Sequence, residues 1–135
     1  MSGFFEQLLI SFVHLFMASH NDTGKTGEEL ALAYFLQLGY TMLHRNWRHS
    51  HWEIDLVLSR NDILHFVEVK CLRTSRFGYP EEKVNKRKLQ HIMNAAEVFL
   101  EKNPVWKKIQ FDVLSVILEG NNGKPEYFLI EDVYL

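Results

Sequence analysis

The sequence predicts an α/β domain with the element order α-β-β-β-α-β-β. Two stretches carry apolar residues at helical spacing. Several short stretches alternate in polarity and are broken by turn residues. The length of 135 residues, 47% of them hydrophobic, suits one domain with a sizeable core.

The first helix follows Thr26-Gly27-Glu28-Glu29, which has the form of a capping box with Thr26 as N-cap and Glu29 reaching back. Leu30, Ala33, Tyr34 and Leu38 share one face, and Gly39 stands where a C-terminal glycine belongs. Tyr40 to Arg45 reads as a short strand and Trp47 to His51 as a connection. Glu53 to Ser59 and Ile63 to Lys70 are strands joined through Arg60-Asn61-Asp62. Cys71 to Glu82, with Gly78 and Pro80, reads as a loop. Val84, Leu89, Ile92, Met93, Ala96, Phe99 and Leu100 form the apolar stripe of a second helix, closed by Asn103-Pro104. Lys108 to Leu118 and Tyr127 to Ile130 complete the sheet.

Residues 1–16 form an apolar extension, and residues 17–135 the single domain. The extension is short for a bilayer span and is interrupted by Glu6 and His14. It has no basic leading region for a signal peptide and no Lys or Arg for an interfacial anchor, so no membrane association is expected; it reads either as an apolar helix that packs on the domain or on a partner, or as sequence preceding a start at Met17. A lone cysteine, Cys71, excludes an internal disulfide framework and fits a reducing, cytoplasmic setting. The net charge of −2 excludes a general polycation. Residues 73–108 nevertheless carry nine basic and four acidic groups, a net of +5, which points to a localised anion-binding face.

The chemistry lies in the second and third strands. Reflected about a turn centred between Asn61 and Asp62, Asp55 falls opposite Glu68, and Glu53 opposite Lys70. Strand alternation then places Glu53, Asp55, Glu68 and Lys70 on one face, and Ile54, Leu56, Leu58, Val67 and Val69 on the other. Directly opposed carboxylates, with Cβ atoms roughly 5 Å apart, repel each other. A divalent cation between them removes the conflict, and Mg²⁺ accepts one or two carboxylates with waters. Lys70 beside it would then orient or activate a water, or counter charge building on a phosphate. The alternative is a solvated salt-bridge cluster, Glu53–Lys70 with Glu68–Lys70, worth little to stability.

Other patterns are weaker. Gly24-Lys25-Thr26 lacks the earlier glycine of a phosphate loop, since Ser19 stands there. His44, His49, His51 and Cys71 match no common zinc spacing. Lys83, Lys86, Arg87 and Lys88 read either as a solvated helix face or as phosphate contacts. Trp47, Trp52 and Trp106 suit base stacking and core packing equally.

Gly24-x-x-Gly27-Glu28, Ala31-x-x-Tyr34-x-Leu36, Gly39-Tyr40, Arg45-Asn46-Trp47-Arg48, Glu53-Ile54-Asp55-Leu56, Phe66-Val67-Glu68-Val69-Lys70, Phe77-Gly78-x-Pro80, Ala95-Ala96 and Phe111-Asp112-Val113 occur in this order. Together they resemble the YraN-like (UPF0102) family of predicted endonuclease-related proteins. That family lies in the PD-(D/E)XK nuclease superfamily and is similar to Holliday-junction resolvases. The resemblance runs from about Asn21 to the C-terminus. It implies a restriction-endonuclease-like αβββαβ core, with a mixed central sheet flanked by helices. It implies that Asp55 is the first acidic residue, that Glu68 and Lys70 form the E-x-K, and that Glu28 approaches from the first helix. Mg²⁺ or Mn²⁺ would be held by Asp55, Glu68 and the carbonyl of Val69. Glu28 would hold a second ion or a water in the outer shell. Trp52 stands where a small residue is usual, and Cys71-Leu72 replaces the usual Thr-Arg, with Arg73 as substitute. Arg73, Lys86 and Lys88 are the expected nucleic-acid contacts. The expected activity is Mg²⁺-dependent cleavage of DNA phosphodiester bonds, in branched or single-stranded DNA, with DNA favoured over RNA and homodimerisation left open. The alternative is a non-catalytic nucleic-acid-binding module of the same fold.

Overall fold

A computed structural model describes residues 23–74 and 86–133. The N-terminal extension and the Phe77-Gly78-x-Pro80 motif lie outside the described residues. The elements are α1 (Thr23–Gln37), β1 (Thr41–His49), β2 (Trp52–Arg60), β3 (Ile63–Thr74), α2 (Lys86–Lys102), β4 (Lys108–Glu119) and β5 (Glu126–Ile130). The five strands form one sheet in the order β1-β2-β3-β4-β5. β3 and β4 are parallel, and the other neighbours are antiparallel. The sheet is therefore mixed, as expected, and α2 makes the crossover that a parallel pair requires.

Each face of the sheet carries a helix and a core. On one face α1 contributes Leu30, Ala31 and Phe35, which pack on Leu56, Leu58, Val67, Leu114, Val116 and Leu118. On the other, α2 contributes Ile92, Ala95, Ala96 and Phe99, which pack on Ile54, Val57, Leu64 and Phe66. Trp47, Trp52 and Trp106 all pack against this second core, so their rings are partly committed to the fold.

The turns follow local chemistry. Asn61 and Asp62 both adopt positive φ, 53° and 64°, as a two-residue type I′ hairpin requires. This fixes the expected register from Arg60↔Ile63 to Leu56↔Val67. Gly39, at φ 88°, closes α1 as a Schellman cap: Tyr40 N donates to Phe35 O at 3.1 Å and Gly39 N to Leu36 O at 3.2 Å.

Several boundaries differ from the sequence reading. α1 begins at Thr23, so Thr26 is a buried residue within the helix and not its cap. Glu29 does not reach back to it; Glu29 Oε1 accepts from Arg45 Nη2 at 2.6 Å, tying α1 to β1. β1 continues to His49 through the stretch expected to be a connection, because pairing with β2 extends to His49↔Trp52. β3 continues to Thr74, because parallel pairing with β4 runs to Thr74↔Glu119 and carries Cys71 to Thr74 out of the expected loop.

Asp112 is a buried polar hub on β4, in register with Val67 of β3. Its Oδ2 lies 2.7 Å from His65 Nδ1, and its Oδ1 accepts from Gln110 Nε2 and Asp132 N, both at 2.9 Å. These bonds tie the segment after β5 back to β4, and they satisfy a carboxylate that burial alone would penalise.

Candidate active site

The site forms where β2 and β3 stop pairing. The ladder ends at Leu56↔Val67, and the next polar contact is different in kind: Val69 N donates to Asp55 Oδ2 at 2.8 Å. A side chain has taken the place of a backbone acceptor, which opens the sheet between the two strands.

The cause is a break in alternation at Asp55. Ile54 joins the core under α2, while Leu56, two residues on, joins the core under α1. Residues two apart on a regular strand share a face, so the expected grouping of Ile54 with Leu56, Leu58, Val67 and Val69 is corrected. β1 changes face at the same level: Arg45 reaches α1, Trp47 packs under α2, and Asn46 between them has φ 49°. Asparagine tolerates this left-handed backbone better than most residues. Asp55 thus sits at a coordinated kink, within the field of both helices.

Glu68 follows on β3, with only 8% of its surface exposed. Lys88 Nζ, from the first turns of α2, lies 3.7 Å from Glu68 Oε1. Lys70 is two residues along β3 on the same face, and its charge counters that of Glu68. Burial pushes the Asp55 carboxyl up to about 6, with Glu28 and Glu53 adding repulsion and the Val69 bond and Lys88 opposing it. Burial pushes Glu68 up to about 7, with Asp55 adding repulsion and Lys88 and Lys70 opposing it. Two mutually repelling acids are therefore gathered at one place, and their basic neighbours do not fully offset them.

Glu28 contributes to this field from α1, through a close helix–strand approach. A Cβ built on Gly27 would lie 2.6 Å from Cys71 Cβ and closer still to its Sγ. Only glycine lets α1 rest on β3 at this point, and that contact sets Glu28 beside the site. Burial pushes the Cys71 thiol up to about 11, in keeping with its packing against Gly27. Gly27→Ala is expected to lower stability by roughly 1–3 kcal/mol. Cys71→Gly in the same chain should recover part of that loss, which a double-mutant cycle by chemical denaturation reads directly.

Other expected members lie further out. Glu53 is paired on β1 with Arg48, at 3.4 Å, and not with Lys70, because it belongs to the β1–β2 ladder below the kink. Arg73 lies exposed near the end of β3, and Lys86 exposed at the start of α2. Among the described residues no three His, Cys, Asp or Glu side chains converge as a metal-ligand set. The sequence reading missed the Lys88–Glu68 contact, which has no local signature, and the kink, whose one signal is Asn46 inside a strand.

A helix, three antiparallel strands, a crossover helix and a parallel fourth strand, with acids on the second and third strands, define a restriction-endonuclease-like core. The profile of uncharacterised protein family UPF0102 matches residues 27–116, and the chain belongs to that family. A UPF0102 protein of Bacteroides thetaiotaomicron is 39% identical over 111 residues, covering 82% of this chain and 92% of the relative. One from Phocaeicola vulgatus is 36% identical over 117 residues, covering 87% and 93%. One from Syntrophomonas wolfei is 39% identical over 111 residues, covering 82% and 96%. No helix among the described residues is long and apolar enough to cross a membrane.

Proposed function

We propose that this chain is a Mg²⁺-dependent endonuclease-like protein that hydrolyses DNA phosphodiester bonds, in branched or single-stranded DNA, within a reducing cytoplasm. The observation that carries this reading is the Asp55–Glu68 pair. A fold gains nothing from two repelling acids at the one point where its central hairpin opens.

The donor set fits a hard divalent cation. Asp55, Glu68 and the Val69 carbonyl would supply two or three oxygen ligands and leave positions for water, as Mg²⁺ prefers. Such an ion, when bound, supplies Lewis-acid stabilisation of the phosphate oxygens. The chain's own groups do the rest. Val69 N fixes the Asp55 carboxylate through its Oδ2. Lys70, on Glu68's face, would hold the attacking water and counter the charge on the phosphate oxygens as that water's oxygen bonds to phosphorus in line and the P–O bond to the leaving oxygen breaks, the water's proton passing to solvent and the leaving oxygen taking one up. Glu28 orients water at the edge of the site from α1. Lys86, Lys88 and Arg73 engage neighbouring phosphates.

Titration calorimetry with Mn²⁺ tests the site. Saturable heat in the parent that vanishes in Asp55→Asn supports it; no heat in the parent, with or without DNA, refutes it. DNA binding should also weaken as salt rises. In the presence of Ca²⁺, Lys86→Ala with Lys88→Ala should flatten the log–log slope by about one unit per lost phosphate contact. An unchanged slope would place the contacts elsewhere.

A further inference from the structure

We infer that Lys88 is a placeholder cation that competes with a divalent ion for Glu68: it rests on Glu68 and passes to a substrate phosphate when the ion takes its place. The inference rests on the nuclease reading of the same site and adds a coupling between its two ligands.

Three observations carry it. The first is the length of the contact. Lys88 Nζ stands 3.7 Å from Glu68 Oε1, well beyond the roughly 2.7–2.9 Å of a strong charge-assisted hydrogen bond. The second is an asymmetry of burial: the Glu68 side chain is 10% exposed and that of Lys88 54%. Glu68 is fixed within the fold, whereas Lys88 is a long, solvated arm able to exchange partners with little cost to packing. The third is position. Lys88 follows Lys86 and Arg87 at the exposed start of α2, so the arm that reaches Glu68 also belongs to the most basic run of the chain.

The electrostatics set the direction of exchange. One lysine charge does not neutralise two carboxylates, whereas a divalent ion between them does. An ion arriving there also repels Lys88 from the acid it occupies. The displaced ammonium then faces whatever anion lies over the site, and a bound phosphodiester is the anion the site is proposed to receive. By linkage, DNA that draws Lys88 away favours the metal as much as the metal favours DNA.

Two measurements test this. In Mn²⁺ titrations without DNA, Lys88→Gln should bind the ion roughly five- to tenfold more tightly than the parent, because a competing cation is gone. Lys88→Arg, which restores a competing cation, should return toward the parent. The salt dependence of DNA binding is the sharper test. Without divalent ions the parent slope should exceed that of Lys88→Gln by less than about half a unit, because Glu68 competes with the phosphate for Lys88. With Ca²⁺ the parent slope should exceed that of the variant by about one unit. Unchanged or weaker Mn²⁺ affinity in Lys88→Gln, or equal slopes with Ca²⁺, overturns the exchange while leaving the metal site standing. Absence of Mn²⁺ binding in the parent overturns the metal site itself, and the exchange with it.

Discussion

Asp55→Asn is expected to lower phosphodiester cleavage on the order of a thousandfold, and Lys70→Ala on the order of a hundredfold, by different routes. Asparagine keeps an oxygen for Val69 N but removes the negative charge that a divalent ion requires. That variant should lose Mn²⁺ binding together with activity, and at neutral pH it should be as stable as the parent or more so. Lys70→Ala removes no ligand. It should bind Mn²⁺ at least as well as the parent and lose rate alone, because its charge acts on the reacting phosphate. Glu53→Gln is the control: Glu53 is engaged with Arg48 on β1, and its loss should change rate by less than about threefold. Steady-state cleavage of an end-labelled oligonucleotide, set beside calorimetry on the same preparations, separates these cases. A salt-bridge role for Lys70 predicts the reverse, with stability lost and no metal affinity anywhere in the series.

The metal-free protein is expected to become more stable as pH falls from 8 to 5, against the usual behaviour of paired carboxylates. Asp55 and Glu68 are raised to about 6 and about 7, from ordinary values of 3.8 and 4.5. Between about pH 4 and 7 the folded chain therefore holds more protons than the unfolded chain. Stability contributed by these groups is present at the low end of that window and is lost as pH rises through the folded values. Two shifts of this size, coupled and partly solvated, amount to roughly 3 kcal/mol for the pair, or on the order of 10 °C in Tm. The double variant Asp55→Asn with Glu68→Gln should flatten the profile. Saturating Mg²⁺ at pH 8 should raise the parent's Tm and leave that of the double variant unmoved. Thermal melts across this range read all three, and a parent profile that matches the double variant would remove the physical basis of the site.

Much of the frame was legible in the chain because it is set by neighbours in sequence. Asn61-Asp62 can take positive φ at two successive positions, so the hairpin register and the approach of Asp55 to Glu68 followed from counting. Gly39 marked the end of α1 for a similarly local reason. What was not legible depends on contacts remote in sequence. The capping-box reading of Thr26 failed because helix α1 gains a further turn, and because Glu29 finds a stronger partner in Arg45, sixteen residues on. The face of Ile54 was misassigned because strict alternation carries no record of a kink shared by two strands. The hub at Asp112 was invisible because two of its partners are remote in sequence: His65 on β3 and the backbone of Asp132 beyond β5. Lys88 was legible as a basic residue near the start of a helix, but its contact with Glu68 arises only when α2 folds across the sheet.

The central claim is most directly tested by incubating the purified protein with labelled duplex, single-stranded, flap and four-way DNA in Mg²⁺ or Mn²⁺. EDTA and an identically prepared Asp55→Asn protein serve as controls. The account predicts cleavage of at least one branched or single-stranded substrate by the parent with the metal, and none with EDTA or with Asp55→Asn. No cleavage of any substrate by the parent under either metal, or equal cleavage by Asp55→Asn, would contradict it.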